Sequence, residues 1–261
     1  MDNLWFSVLF KRAAWTQNPP TFEDVAKAAD LFKRAMTSGL RGNLRPEEHA
    51  LLMSLRAQLP PNGRWKIGAS ASAVDSLLDS SPRPQADTRA WGWKEPNTHI
   101  FLPHLATLFP QMRYIHVVRD GLDMAFSKNT WQARHWGRLY GLPYRWYRSA
   151  PQQQLRFWLA ANRATLEFGK THMPGRFLVV PYEDYCARPD WHWPRLHDFL
   201  ELPPNTSLSH DILRPTSIGR SQDHDLTSFP QDLLSSAAAL QSELKAFHAP
   251  PPNEGNPNGR H

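Results

Sequence analysis

The chain has 261 residues, of which 41% are apolar and 24 are prolines, so it can bury one sizeable core but must carry much loop. The net charge of +6 suits a polyanionic ligand, but the basic residues are scattered and no known nucleic-acid-binding signature accompanies them, which argues against nucleic acid. The single cysteine, Cys186, excludes an intramolecular disulfide framework, and the lack of a membrane-length apolar run or signal-peptide pattern predicts a cytoplasmic protein without a membrane partner.

Helical patterns dominate the first part of the chain. The clearest helix is predicted from Thr21 to Met36, with Thr21 as the N-cap and apolar residues at helical spacing behind it. A second helix should begin near Pro46, and a third should cover Ser70 to Leu78. Ser80 to Arg89 contains two prolines and mostly polar residues, which predicts an exposed loop.

A lysine follows the next apolar segment. Trp91 to Pro96 is predicted to form a short strand that presents Lys94, and a helix is predicted from Thr98 to Phe109. A cation at a strand end can meet an anionic ligand. The alternative is a surface lysine that pairs with Glu95.

A strand-turn-helix unit comes next. Tyr114 to Val118 predicts a buried strand, the next three residues turn the chain, and Leu122 to Asn129 follows with helical spacing. Open α/β sheets bind ligands at the carboxyl ends of parallel strands, where the guanidinium of Arg119 can fork onto a phosphate and Ser127 can add a hydroxyl. The alternative is a surface pair of Arg119 with Asp120.

The second half of the chain alternates helical and strand patterns. Thr130 to Ala150 is rich in aromatic residues and arginine and too irregular for one long helix; its aromatic faces could stack on a planar or sugar acceptor, or pack on the core as a lid. Leu155 to Phe168 predicts an amphipathic helix that crosses over to a parallel strand at Phe177 to Val180. A helix near Trp191 to Leu200 follows, and residues 249–261 have the composition of a disordered tail.

Three blocks in this order resemble the sulfotransferase family: KEPNTHIFLPHLATLFPQM, RYIHVVRDGLDMAFSKN and RFLVVPYEDYCARPDWHWPRLHDFLEL. The resemblance runs from about Trp91 to Arg220, and its most specific part is the pattern FP-x-x-R-[YF]-I-x-V-V-R-D-x-x-D-x-x-x-S. It implies a three-layer α/β fold, a parallel sheet flanked by helices in the manner of P-loop nucleotide-binding proteins. Length and composition predict a single domain over residues 1–248.

The resemblance also implies a donor and its binding residues. Family members use 3′-phosphoadenosine 5′-phosphosulfate (PAPS), and their strand-Arg-helix-Ser unit, which Arg119 and Ser127 match, binds the 3′-phosphate. The segment RPTSIGR resembles the glycine-containing loop that folds over this phosphate, with Arg220 as its basic residue. Lys94 matches the lysine that points at the transferring sulfuryl group, and no metal is required.

The catalytic base is open at this stage. Cytosolic sulfotransferases carry a histidine just after the lysine, which makes His99 a candidate, although it follows Lys94 by five residues instead of two. Packing of His99 against the core is the competing explanation. Other branches of the family use a glutamate after the first helix, which makes Glu47 and Glu48 further candidates.

One departure from the family concerns the 5′-phosphosulfate loop, whose pattern resembles P-x-S-G-T-T and does not occur in this chain. Lys66 to Ser72 has glycine and small residues ahead of a helix, but it lacks the pattern. Two explanations are open: the first strand is missing from a truncated chain, or the chain is degenerate and binds the nucleotide through Arg119 and Ser127 alone. A missing strand would expose sheet edges, which predicts poor solubility or a homo-oligomer.

The sequence thus predicts a sulfotransferase that transfers a sulfuryl group from PAPS to a hydroxyl or amine of a small-molecule or carbohydrate acceptor. The alternatives are a non-enzymatic nucleotide-binding relic and a P-loop kinase. A kinase of this architecture would need a Gly-Lys-Ser/Thr loop and magnesium, and the sequence lacks that loop.

Overall fold

The computed structural model describes residues 21–57, 71–79, 90–204, 206 and 218–248. The chain divides into two compact units, Met1–Pro110 and Gln111–His261. The predicted loop from Ser80 to Arg89, the tail at 249–261, and most of the Lys66 to Ser72 and RPTSIGR segments lie outside the described residues. The prediction of a single domain over residues 1–248 stays a prediction.

The first unit is helical in the residues that the structure describes. Its helices are α1 (Phe22–Thr37), α2 (Pro46–Ala57), α3 (Ala71–Leu78) and, after a 3-10 turn at Thr98–Phe101, α4 (Leu102–Leu108). The predictions of α1, α2 and α3 are confirmed to within one or two residues. The single helix predicted from Thr98 to Phe109 instead begins as a 3-10 turn, because Pro103 has no N–H with which to continue an α-helical bond pattern.

The first helix begins where its sequence predicts. The Thr21 hydroxyl accepts from the backbone N–H of Asp24 over 3.2 Å, and the Asp24 carboxylate accepts from the backbone N–H of Thr21 over 3.0 Å. This capping box satisfies donors that the first turn of a helix leaves without intrahelical partners. The apolar face of α1 then buries Val25, Leu31 and Phe32.

A buried carboxylate joins α1 to α2. Glu48 on α2 has a side chain that is only 7% exposed and accepts from Nη2 of Arg34 over 2.6 Å and from Nε of Arg45 over 2.9 Å. Burial alone would raise the pKa of Glu48, but the hydrogen bonds from Arg45 and Arg34 lower it to about 2. A carboxylate with so low a pKa is a weak base, and both arginines engage it, so Glu48 is less suited than an ordinary glutamate to remove a proton.

The second unit contains a parallel strand pair. Its elements are β1 (Tyr114–Val118), α5 (Gly121–Ala125), α6 (Trp131–Trp136), a 3-10 turn (Gly137–Tyr140), α7 (Ala150–His172), β2 (Phe177–Pro181), α8 (Tyr182–Ala187), α9 (Pro189–Leu200), a 3-10 turn (Arg220–Asp223) and α10 (Gln231–His248). The two strands pair in parallel, from Tyr114 opposite Phe177 to Val118 opposite Pro181. Parallel strands need a long crossover connection, and here the crossover contains α7.

Side chains on the strand pair fix the crossover helix against it. The buried His116 on β1 places its Nε2 2.8 Å from Oδ1 of Asn162 on α7. Burial lowers the pKa of His116 to about 4, so the imidazole is neutral and Nε2–H donates to the amide oxygen. Nearby, a Cβ on Gly169 would lie 2.4 Å from the ring of Phe177, which explains why α7 has glycine where it packs on this ring. The predicted α/β fold, with parallel strands flanked by helices, is confirmed.

Candidate active site

The carboxyl end of β1 delivers Arg119, and neighbouring helices hold this residue at two points. The indole Nε1–H of Trp158 on α7 donates to the backbone carbonyl oxygen of Arg119 over 3.0 Å. The guanidinium carbon of Arg119 lies 4.8 Å from the ring centroid of Tyr182, within cation–π range. The predicted strand therefore ends at a half-buried arginine whose backbone and side chain are both oriented by tertiary contacts.

The turn after Arg119 is formed by Asp120. The Asp120 carboxylate caps α5 by accepting from the backbone N–H groups of Leu122 over 2.9 Å and Asp123 over 3.0 Å. The backbone N–H of Asp120 itself donates to Oε1 of Glu183 over 2.9 Å. The Asp120 carboxylate thus acts as a helix cap, which gives it a role beyond the predicted surface pair.

The first residue of α5 has to be glycine for reasons of space. A Cβ on Gly121 would lie 2.9 Å from Cε3 of Trp158, closer than real Cβ contacts allow. The indole, which is 6% exposed, therefore packs directly on the backbone of the turn. The Trp158 side chain thus leaves no space for a Cβ at residue 121 and also donates a hydrogen bond to the carbonyl of Arg119.

A buried carboxylate on α5 joins the segment that carries Arg220. Asp123 is 3% exposed, and its oxygens accept from the backbone N–H of Gly219 over 2.7 Å, the backbone N–H of Ser221 over 2.8 Å and the Ser221 hydroxyl over 2.8 Å. Burial alone would raise the pKa of Asp123, but these hydrogen bonds and the positive charge of Arg119 lower it. Nη1 of Arg220 lies 3.4 Å from the Asp123 carbonyl oxygen, so α5 has Arg119 before it and Arg220 against it.

Ser127 lies beyond the end of α5. The prediction of a helix from Leu122 to Asn129 is wrong in its length, because α5 ends at Ala125. The buried Gln154 on α7 donates from Nε2 to the carbonyl oxygens of Ala125 over 2.7 Å and Ser127 over 3.0 Å, and these bonds stabilise the helix end. The Ser127 hydroxyl accepts from the backbone N–H of Asn129 over 3.2 Å, and its own hydrogen can still be donated to an anion.

Lys94 lies in the first unit on a segment without a regular strand. The predicted strand from Trp91 to Pro96 does not form: residues 90–95 contain only an isolated β-bridge at Lys94. The rings of Trp91 and Trp93 instead pack against one another with centroids 5.8 Å apart, and Pro96 has no N–H for a ladder. The Lys94 side chain is exposed, while the Glu95 carboxylate accepts from the Asn97 side chain over 2.7 Å.

His99 occupies the 3-10 turn that precedes α4. Its Nδ1 lies 3.1 Å from the carbonyl oxygen of Pro96, and because a carbonyl oxygen can only accept, Nδ1 carries the hydrogen. With the hydrogen on Nδ1, Nε2 is the nitrogen that can accept a proton, and this atom is buried. The tautomer is the one that a base needs, and the role of His99 stays a prediction.

The aromatic segment after α5 is irregular, as predicted. It contains the short helix α6 and a 3-10 turn, and the guanidinium of Arg134 lies 5.0 Å from the ring centroid of Tyr144. The side chains of Trp146 and Tyr147 are 89% and 64% exposed. These exposed rings agree better with a contact surface than with a lid packed on the core, although the nearby Trp136 is fully buried.

The structure brings some of the predicted site residues together. Arg119 and Arg220 both lie beside Asp123 on α5, while Ser127 follows the end of the same helix. Lys94 and His99 lie close together along the chain in the first unit. Asp123 is the second aspartate of the R-D-x-x-D pattern, so the sequence motif could have identified it as a site residue. For Gln154 and Trp158, the sequence predicts only that they lie on a helix.

The described residues also bear on metal binding and on membrane insertion. They contain no group of three or more histidine, cysteine, aspartate and glutamate side chains placed to hold a metal ion. Among the helices that the structure describes, none combines the length and apolar character needed to cross a membrane.

The chain was compared with known sequences and solved structures. It is similar to the sulfotransferase domain from the curacin biosynthetic pathway, with 17% identity over 95% of this chain and 94% of that one and a TM-score of 0.47. It is also similar to the sulfotransferase domain from the Synechococcus PCC 7002 olefin synthase, with 20% identity over 94% of this chain and 82% of that one and a TM-score of 0.41. No curated protein matches its sequence significantly.

A sequence profile decides the family. The profile described as "Sulfotransferase family" matches residues 9–206, which is more than half of the chain. The matched range includes the strand-turn-helix unit and the predicted site residues Lys94 and Arg119. The chain belongs to the sulfotransferase family.

Proposed function

We propose that this protein transfers a sulfuryl group from PAPS to a hydroxyl or amine of a small-molecule or carbohydrate acceptor in the cytoplasm. One observation carries the proposal: two arginines from segments about a hundred residues apart in sequence, Arg119 and Arg220, lie beside the same short helix. Two guanidinium groups beside one helix suit the binding of an anion such as a phosphate, because each can form paired hydrogen bonds to its oxygens.

The 3′-phosphate of the donor is the proposed anion. A guanidinium can form two parallel hydrogen bonds to a phosphate, so Arg119 and Arg220 together offer several donors to its three terminal oxygens. The hydroxyl hydrogen of Ser127 adds a further donor. The contacts of Trp158 and Tyr182 with Arg119 restrict that arginine before the nucleotide binds, which reduces the ordering cost of binding.

The transfer step requires cations and a proton acceptor. The sulfur–oxygen bond to the donor phosphate breaks while sulfur bonds to the acceptor, to oxygen of a hydroxyl or nitrogen of an amine, and the acceptor loses its proton. By analogy with phosphoryl transfer, this step depends on positioning and on cations that neutralise the oxygens and the leaving phosphate. We assign that neutralisation to Lys94 and the removal of the proton to Nε2 of His99.

The acceptor is proposed to meet the exposed aromatic segment. Trp146 and Tyr147 expose most of their rings, with Arg145 and Arg148 on either side in the sequence. Aromatic faces stack on sugars and on planar molecules, and the arginines add affinity for acidic ones. This composition favours a small-molecule or carbohydrate acceptor.

Nucleotide selectivity tests the proposed function. Adenosine 3′,5′-bisphosphate, the desulfated donor, should bind more tightly than 5′-AMP, since only the first has the 3′-phosphate. Arg119→Ala should remove most of that preference, about 1.5–3 kcal/mol, when both affinities are measured by calorimetry.

Arg113→Ala is the matched control for this experiment. Arg113 directly precedes β1, as Arg119 follows it, and its guanidinium pairs with Glu201, so the variant loses the same charge at the opposite end of the strand. It should keep the preference for the bisphosphate. Equal binding of both nucleotides by the unmodified protein would contradict the proposal.

A further inference from the structure

The Asp123 carboxylate binds the backbone of residues 219–221. It accepts hydrogen bonds from the backbone N–H groups of Gly219 and Ser221. Its two oxygens accept three hydrogen bonds from this segment, at 2.7–2.8 Å. The donors lie 96 to 98 residues further along the chain. The contact is therefore a product of the tertiary fold.

Only an ionised carboxylate satisfies this set of donors. Two backbone N–H groups and a hydroxyl all point at Asp123, so the group between them has to accept on both of its atoms. An amide of the same shape would place an NH2 group against one of the N–H donors. The negative charge also offsets the nearby arginines, and hydrogen bonds to a charged group are stronger than those between neutral groups.

The two anchored amides lie on either side of Arg220. Gly219 has a φ of 79°, a left-handed conformation that favours glycine, and it turns the chain so that both its own N–H and that of Ser221 reach Asp123. Arg220, held between them, directs Nη1 to within 3.4 Å of the Asp123 carbonyl oxygen. The position of Arg220 relative to α5 thus depends on the Asp123 carboxylate.

We propose that Asp123 is a positioning residue for donor binding: it fixes residues 219–221 onto α5 so that Arg220 and Arg119 meet the same phosphate. The inference rests on the proposed function and extends it, since Asp123 itself touches no donor atom in this scheme. Its effect reaches the nucleotide through Arg220.

The test compares four proteins by calorimetry: the unmodified chain, Asp123→Asn, Arg220→Ala and the double variant. The probes are adenosine 3′,5′-bisphosphate and 5′-AMP. Asp123→Asn should weaken binding of the bisphosphate by about tenfold or more and change binding of 5′-AMP by no more than about twofold. Since Asp123 acts through Arg220, the double variant should bind the bisphosphate about as weakly as the weaker of the two single variants.

Two further variants separate this role from a loss of folding. Gly219→Ala leaves Asp123 intact but strains the left-handed turn, and it should weaken bisphosphate binding in the same direction by about threefold to fivefold. Asp225→Asn is the matched control, because Asp225 accepts only local hydrogen bonds from Thr227 among those the structure shows for its side chain. It should leave both affinities unchanged.

Each outcome decides the proposal. Asp123→Asn with undiminished bisphosphate affinity, or with an equal loss for both nucleotides, overturns the positioning role and leaves the proposed function standing. Additive losses in the double variant overturn it as well. An unmodified protein that does not distinguish the nucleotides contradicts the proposed function itself, and with it the phosphate that Arg220 is proposed to meet.

Discussion

The indole N–H of Trp158 donates to the backbone carbonyl oxygen of Arg119 over 3.0 Å, so the crossover helix α7 holds the residue that ends β1. The same ring closes the space beside Gly121, where a Cβ would lie 2.9 Å from Cε3. One side chain therefore sets both the end of the strand and the start of the next helix. This double contact makes the turn sensitive to added volume.

Gly121→Ala should lower the free energy of unfolding by about 1–3 kcal/mol, because the added methyl group overlaps the indole. In a Trp158→Leu background the same substitution should cost at least about 0.5 kcal/mol less, because the ring is gone. Urea unfolding of the four proteins measures this coupling. Gly92→Ala is the control: its Cβ would meet nothing within 4 Å, so a change of no more than about 0.5 kcal/mol is expected. Equal costs in both backgrounds would argue against the contact.

Gln154→Met should loosen the segment that carries Ser127. Methionine keeps most of the volume of glutamine but donates no hydrogen bond, so the buried carbonyl of Ala125 and the part-buried carbonyl of Ser127 lose this donor. We expect a loss of about 1–3 kcal/mol in the free energy of unfolding and weaker binding of adenosine 3′,5′-bisphosphate, measured by urea unfolding and calorimetry.

Gln152→Met is the control for that variant. Gln152 lies on the same helix and donates to the carbonyl oxygen of Ser228 in an exposed bond. Water can replace this donor, so both the stability and the nucleotide affinity should change little. Comparable losses in the two variants would mean that the effect comes from the helix and not from Ser127.

Glu48 makes the free energy of unfolding depend on pH in the acidic range. Its pKa in the folded protein is about 2, against an ordinary value of 4.5, so its contribution is fully present above pH 4.5 and is lost as the pH falls toward 2. Glu48→Gln should therefore lower the free energy of unfolding at pH 7, by up to about 3 kcal/mol, and flatten its fall between those pH values. Urea unfolding at a series of pH values measures both effects.

The neighbouring Glu47→Gln provides the comparison. The Glu47 side chain is 69% exposed and lies 3.4 Å from Arg45, which is 64% exposed, and such surface pairs contribute little. Its pH profile should follow that of the unmodified protein. If Glu48→Gln shows the same steep fall as the unmodified chain, the hydrogen bonds from the two arginines do not lower the pKa of Glu48.

Lys94→Ala should reduce sulfuryl transfer by about 10²–10³ with little change in the affinity for the donor, as expected for the loss of one transition-state donor. Transfer from radiolabelled PAPS to a panel of hydroxyl and amine acceptors gives the rate, and calorimetry gives the affinity. Lys33→Ala removes an exposed lysine from α1 and should leave both unchanged. Near-normal transfer by Lys94→Ala would show that Lys94 has no catalytic role and would favour the alternative of a surface lysine.

Local patterns were enough to predict most of the elements. The Thr21 cap, the β-branched run of β1 and the apolar repeat of α7 depend on residues a few positions apart, so their signals are present in the sequence itself. Family motifs then marked Arg119 and Ser127. Two predictions were wrong: α5 was predicted too long, and a strand was predicted at Trp91 to Pro96. The hydrogen bonds from Gln154 and the packing of the tryptophan rings depend on the folded structure, so local sequence patterns do not predict them.

Only the tertiary structure decided which groups hold the site together. Asp123 accepts from Ser221 across 98 positions, and Trp158 donates to Arg119 across 39, so these partners meet only after the crossover has brought the parallel strands together. The sequence by itself determined the residue types and the caps, because propensity and periodicity act over short separations. The partners of the buried polar groups were set by burial, since a polar group removed from water must find a hydrogen bond wherever the fold supplies one.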